Sequence, residues 1–92
     1  MLEFQWDPAK AAANLQKHGV PFEYAARVFL DSHRQDHVDR RHTYGEERRI
    51  TIGNIDGRVY VVAYTHRRAA IRLISARKAN ARETQTYHTV SA

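Results

Sequence analysis

The 92-residue sequence contains no cysteine, one methionine, one tryptophan, two prolines and four glycines. Without thiols there are no disulfides, no thiolate metal sites and no cysteine nucleophile. Nothing asks for an oxidising compartment, so a cytoplasmic protein is expected. No apolar stretch approaches the ~20 residues that cross a bilayer; the longest, Val59–Tyr64, has the length of a strand. The start, Met1-Leu2-Glu3-Phe4-Gln5-Trp6-Asp7-Pro8, has no basic segment followed by an apolar run, so no secretory leader is expected.

What is present suits one small domain over residues 1–92. A chain of this size buries only about 60–65% of the surface its unfolded form exposes, so its core is thin. Apolar residues make up 42% and aromatics 10%, enough for a fold without a staple.

Acid is also missing, but only locally. Residues 1–56 are nearly balanced: Lys10, Lys17, Arg27, Arg34, Arg40, Arg41, Arg48 and Arg49 face nine carboxylates. Residues 57–82 carry Arg58, Arg67, Arg68, Arg72, Arg77, Lys78 and Arg82 with no Asp or Glu. The net charge of +5 therefore lies in the second half. Such a field attracts polyanions. The arginine bias favours forked recognition of phosphate over simple solubility.

Periodicity gives the elements. Leu2–Trp6 alternates apolar and polar residues, as a short strand does. Asp7-Pro8 caps and opens a helix that Gly19 stops, with Lys17 and His18 in its last turn. A second helix is predicted over Phe22–Leu30. Asp31–Gly45, with Val38 its only aliphatic residue, reads as a polar loop. Glu47–Ile55 and Arg58–His66 are strands joined by an Asp56-Gly57 turn. Ile71–Ala76 is a third strand after the Arg67-Arg68-Ala69 turn. Asn80-Ala81-Arg82-Glu83 has the form of a capping box that opens a last helix to about Val90. The order β-α-α-β-β-β-α predicts an α+β fold with a small antiparallel sheet packed by helices.

These residues resemble a known family. Phe4-Gln5-Trp6-Asp7-Pro8-Ala9-Lys10 is similar to the opening of the BrnT toxins. Asn14-Leu15-Gln16-Lys17-His18-Gly19-Val20 resembles their N-x-x-K-H-G-V segment. Phe22-Glu23-Tyr24-Ala25, Val28-Phe29-Leu30-Asp31, Gly45-Glu46-Glu47-Arg48, Ile52-Gly53, Arg72-Leu73-Ile74-Ser75-Ala76-Arg77-Lys78-Ala79, Arg82-Glu83 and Tyr87 follow in the family's order. The likeness spans nearly the whole chain and is lost between Asp31 and Gly45. It implies a RelE-like scaffold and a ribonuclease that stops translation. It further implies a BrnA-type antitoxin partner, with operator DNA contacted only through that antitoxin in a hetero-oligomer. No membrane contact is implied.

RNA cleavage of this kind uses the 2′-hydroxyl as nucleophile. It needs a base, an acid and cations around the crowded phosphorane. Arg72, which interrupts an apolar strand, and Arg77 at the strand exit are candidate phosphate ligands. The alternative for Arg72 is an ion pair with Glu47 or Glu83. His66 is the candidate proton carrier. Lys78, Arg82, Arg67 and Lys17 are candidate RNA contacts, and Glu47, Glu83 and Tyr87 candidate supports; Glu83 is also explained by capping alone. Arg77 and Lys78 are expected at a strand-to-helix junction, where helix amides favour anions. Tyr44, Tyr60 and Tyr64 are candidate base-stacking rings, whereas Phe4, Trp6, Phe22 and Phe29 fall on apolar faces and read as core. His33, His37 and His42 with Asp36 and Asp39 offer enough ligands for a metal, but on a loop; neither a metal nor any other cofactor is expected. The rival readings are a basic protein that binds nucleic acid without cutting it, and a chain kept only to bind an antitoxin.

Overall fold

Local chemistry sets the first boundaries where the sequence places them. The Asp7 carboxylate accepts from the Ala9 N–H at 2.8 Å and the Lys10 N–H at 3.4 Å, and Pro8 opens α1 (Pro8–His18). Gly19, at φ 72°, closes it by donating to the Leu15 carbonyl. The computed structural model describes residues 2–41 and 45–91. Its other elements are β1 (Glu3–Gln5), α2 (Phe22–Ala25) continued by a 3₁₀ segment (Ala26–Leu30), β2 (Gln35–Val38), β3 (Arg48–Ile55), β4 (Arg58–Arg67), β5 (Ala70–Lys78) and α3 (Ala81–Ser91).

The α+β class stands, with three differences of detail. First, the sheet is mixed. Its order is β1-β5-β4-β3-β2, antiparallel except that β1 runs parallel to β5. The α1–α2 pair carries the chain across one face from the first edge to the other, so the meander that returns ends beside β1 in the same direction. Second, the stretch read as a loop contains β2, which pairs with β3 through Gln35↔Ile52 and His37↔Ile50. Polar side chains on both of its faces hide it from a hydrophobic pattern. Third, β5 continues through Arg77 and Lys78, so neither stands free at a junction.

The helix-side face holds the core: Phe22, Val28, Phe29, Tyr60, Val62, Tyr64, Ile71, Leu73 and Ala76 form one buried cluster, with Phe4 and Trp6 packed against it. Tyr60 and Tyr64 are thus core rings and not platforms for bases; Tyr44 lies outside the described residues. The 3₁₀ segment presses close on β3. A Cβ at Gly53 would fall 2.4 Å from Val28 Cγ2, a contact only glycine avoids. At the β3–β4 hairpin, Asp56 and Gly57 take φ values of 51° and 90°, the pair of left-handed residues that a type I′ turn needs.

One buried polar residue belongs to this core. Beyond its short pairing with β1, the outer edge of β5 has no neighbouring strand among the described residues. Asn14, 7% exposed on α1, takes that place. Its amide donates to the Ala76 carbonyl at 2.9 Å and accepts from the Ala76 N–H at 3.0 Å, and it also donates to the Val20 carbonyl at 3.1 Å. The second face of the sheet carries Ile50, Ile52, Val61 and Ala63, and α3 crosses only its end. A bulge opposite Ala63/Tyr64 places both Ile74 and Ser75 along this face.

Asn14→Ala should leave both main-chain groups of Ala76 buried and unpaired. The expected cost is about 2–3 kcal/mol, a fall of roughly 8–20 °C in Tm for a domain of this size. Thermal unfolding of the variant measures it; a Tm within about a degree of the parent would contradict the role given to this amide.

Candidate functional site

Strand parity decides which side chains meet. Arg77 pairs with Val61, and Arg48 lies two residues before Ile50, so both rise from the second face. There Arg77 borders a groove of about 300 Å³ lined by His37, Arg40, Arg41, Ile50, Ile52, Val61 and Glu83 among others. A recess of about 130 Å³ adjoins it, shared with Arg48, Ala63, Ile74 and Ser75. The groove is at the small end of the roughly 300–1,000 Å³ of ligand sites, suited to a nucleotide unit. Its floor is apolar and its walls are charged, with four arginines against Asp39 and Glu83.

Two carboxylates hold two of those arginines in place. Arg77 meets Glu83 through two parallel bonds of 2.8 Å. Glu83 also closes the capping box that the sequence predicts: it accepts from the Asn80 N–H at 2.9 Å, and its own N–H donates to Asn80 Oδ1 at 2.8 Å. The fork from Arg77 holds the Glu83 carboxyl down at about 2, despite an opposing contribution from burial. The same bond keeps Arg77 protonated above its usual range. Asp39, buried at 6%, grips Arg41 through Nε at 3.0 Å, a second guanidinium nitrogen at 3.3 Å and the main-chain N–H at 3.1 Å. That contact raises the Arg41 pKa, while the like charge of Arg77 pushes it the other way. Each arginine thus has fixed geometry and N–H groups left over for an anion.

The structure does not gather every residue singled out from sequence. Arg77 and Glu83 meet at the groove. Arg72 shares the second face but sits five residues down β5, roughly 16 Å away at strand rise, where it donates to Gln5 Oε1 of β1 at 3.0 Å and not to Glu47 or Glu83. His66 follows the parity of Tyr64, whose ring it meets edge-on at 5.6 Å, so it projects on the helix side. Lys17 is exposed on α1, which packs on that same side. Lys78 is exposed and shares the parity of Tyr60. Arg82 is exposed on the first turn of α3. Arg67 pairs with Glu46 at 3.4 Å beside the β4–β5 turn, and Glu47 with Arg49 at 3.1 Å. Tyr87 is buried; its hydroxyl donates to Asp31 and its carbonyl accepts from Gln35 Nε2 at 3.1 Å, which pins α3 to the β2 edge. In the first turn of α3 the Glu83 N–H donates to Asn80 Oδ1 and the Thr84 N–H to the Asn80 carbonyl.

The set of candidate metal ligands is dispersed. His33 borders a different cavity with Asp31, His37 borders the groove, and Asp36 is held on the helix side by Arg34 and Arg49. His42 lies outside the described residues. Among the described residues no three His, Asp or Glu side chains converge. The different cavity is the larger, about 470 Å³, but its lining sets Arg27 against both Asp31 and Asp56, so it has no excess of arginine. The groove keeps an excess of cations, and chemistry on a phosphate needs that excess.

The groove residues Arg41 and Arg48 were not singled out from sequence, and His37 was singled out only as a possible metal ligand. Arg48 had a signal: it alternates with Ile50 and Ile52. His37 and Arg41 needed the pairing of β2.

A family model described as the ribonuclease toxin, BrnT, of type II toxin-antitoxin system matches residues 6–83. Comparison with curated proteins gives no match. No helix among the described residues is long and apolar enough to cross a membrane.

The Glu83 carboxyl is lowered from 4.5 to about 2, so its stabilisation is complete above pH 4.5 and disappears as pH falls toward 2. Glu83 and Arg77 are partly exposed, 25% and 41%, so the pair contributes on the order of 1–2 kcal/mol. Glu83→Gln should therefore lower Tm by several degrees at pH 6, and the gap from the parent should close between pH 4.5 and 2. A gap that stays constant across that range would contradict the fork.

Proposed function

The chain belongs to the BrnT family of ribonuclease toxins of type II toxin–antitoxin systems, and from that membership we propose that it cuts single-stranded RNA in the second-face groove without a metal. The observation that carries this reading is the arrival of Arg41, Arg48 and Arg77, from three separate segments, at one apolar-floored groove. A nucleobase lies on Ile50, Ile52 and Val61, and the phosphodiester sits among the guanidinium groups. Duplex RNA offers no splayed base for such a floor, so loops and single strands are the substrates.

The reaction balances within the RNA. The 2′-oxygen loses its proton and attacks the adjacent phosphorus. The P–O5′ bond breaks, and the 5′-oxygen takes a proton. The products are a 2′,3′-cyclic phosphate and a 5′-hydroxyl. Arg77, braced by Glu83, carries most of the charge that builds on the phosphorane; Arg41 and Arg48 share the rest. Preorganised charge of this kind is typically worth ~10²–10³-fold per donor. Arg72, further along the same face, grips a neighbouring phosphate, with Arg67, Lys78 and Arg82 as outer contacts. The consequence in the cell is loss of translatable RNA. A BrnA-type antitoxin neutralises the toxin by covering the groove, and the pair reaches operator DNA through the antitoxin.

Purified protein incubated with a single-stranded oligonucleotide and EDTA should yield cyclic-phosphate products. Arg77→Ala should lower kcat by ~10²-fold or more and Arg41→Ala by ~10-fold, with Lys10→Ala on the exposed side of α1 unchanged. Cutting by Arg77→Ala at the parent rate would contradict the site. Loss of cutting in EDTA would contradict metal independence. Binding by the parent with no cutting would favour the non-catalytic reading.

A further inference from the structure

The groove supplies cations in excess, but its carboxylates are poor acceptors for a 2′-hydroxyl proton. Asp39 is buried and spends its oxygens on Arg41. Glu83 is saturated by Arg77 and the Asn80 N–H, and its carboxyl lies too far below neutrality for efficient base catalysis. His66 projects from the opposite face. His33 and His88 border the other cavity. His18 ends α1 on the helix side. Among the described residues, His37 is the one imidazole that lines the groove.

Its placement follows from register. His37 pairs with Ile50, Ile50 with Ala63 and Ala63 with Ser75, so all four project from the second face in one row. Arg77 stands in the next row, beside Val61. His37 and Arg77 therefore rise from strands three apart, roughly 14 Å at inter-strand spacing. Both nevertheless line the same groove, with Ile50 and Val61 on the floor between them.

We propose that His37 is the general base of the reaction, taking the 2′-hydroxyl proton across the groove from the Arg77 phosphate grip. This rests on the reading of the groove as the cleavage site. The imidazole accepts the 2′ proton through its unprotonated ring nitrogen as the 2′-oxygen attacks phosphorus, and water protonates the leaving 5′-oxygen. The charged groups that face His37 are Asp39, Arg40 and Arg41 from its own segment, Arg48 of β3, Arg77 of β5 and Glu83 of α3. Arginines outnumber carboxylates in that set.

The test is a steady-state pH–rate profile on a single-stranded oligonucleotide for the parent, His37→Gln and His37→Ala. His37 is exposed, so both variants should keep the parent Tm. The expected result is a fall in kcat of ~10²–10³-fold with KM unchanged, loss of the acid limb that the parent shows, and partial rescue of His37→Ala by added imidazole. His37→Gln with the parent rate and profile, while Arg77→Ala is crippled, overturns this proposal and leaves the groove standing. Parent behaviour in both variants removes the groove as well. An acid limb lost in His66→Gln instead assigns the proton to the other face and overturns the proposal.

Discussion

The fork between Arg77 and Glu83 is the contact on which the site depends. It joins the last turn of β5 to the first turn of α3, two elements that would otherwise diverge after Lys78. It also holds one cation of the groove against a fixed carboxylate. Behind it stands Asn14, whose amide holds both main-chain groups of Ala76, one residue before Arg77. In front stands the Asn80 capping box. A strand end, a helix start and a guanidinium are thus set by a single chain of hydrogen bonds. Few apolar contacts hold α3: Val90 is 66% exposed, and the far end of the helix is tied through Tyr87 to Asp31 and Gln35.

The two faces of the sheet divide the work. The helix side is closed by the core, and Arg34 and Arg49 are paired there with Asp36 and Glu47. Asp36 accepts from Arg34, Arg49 and Tyr64, and although burial alone would raise its pKa, those bonds hold the carboxyl below the usual range. Basic charge on that side therefore serves β2 docking. On the second face four guanidinium groups stand against two carboxylates around an apolar floor. The asymmetry between faces is what favours one of them for the proposed phosphate site.

Much of this was readable from residue order. Asp7-Pro8 and Gly19 bounded α1, Asp56-Gly57 formed its hairpin, and Asn80 with Glu83 formed the cap that their spacing requires, because these signals are local and need no partner. The run of cations without acid after residue 57 pointed to a polyanion, and Arg77 within it reaches the groove. What sequence did not carry is pairing. β2 has polar residues on both faces and so lacks the alternation that marks a strand. His37 and Arg41 reach the groove only through its register with β3. His66 looked well placed beside Arg67 and Arg68, yet parity with Tyr64 turns it to the helix side. Tyr60 and Tyr64 read as exposed rings because two rings of a tyrosine-rich strand say nothing about which face the helices cover.

The location of bound RNA tests the central claim most directly. A non-cleavable oligonucleotide with 2′-O-methyl riboses can be titrated into methyl-labelled protein and followed by NMR. The account predicts that the methyl signals of Ile50, Ile52, Val61 and Ala63 shift together, while those of Val20, Val28 and Val62 on the helix side stay in place. Shifts confined to the helix side, or to Ile55 and Leu30 beside the larger cavity, would contradict it.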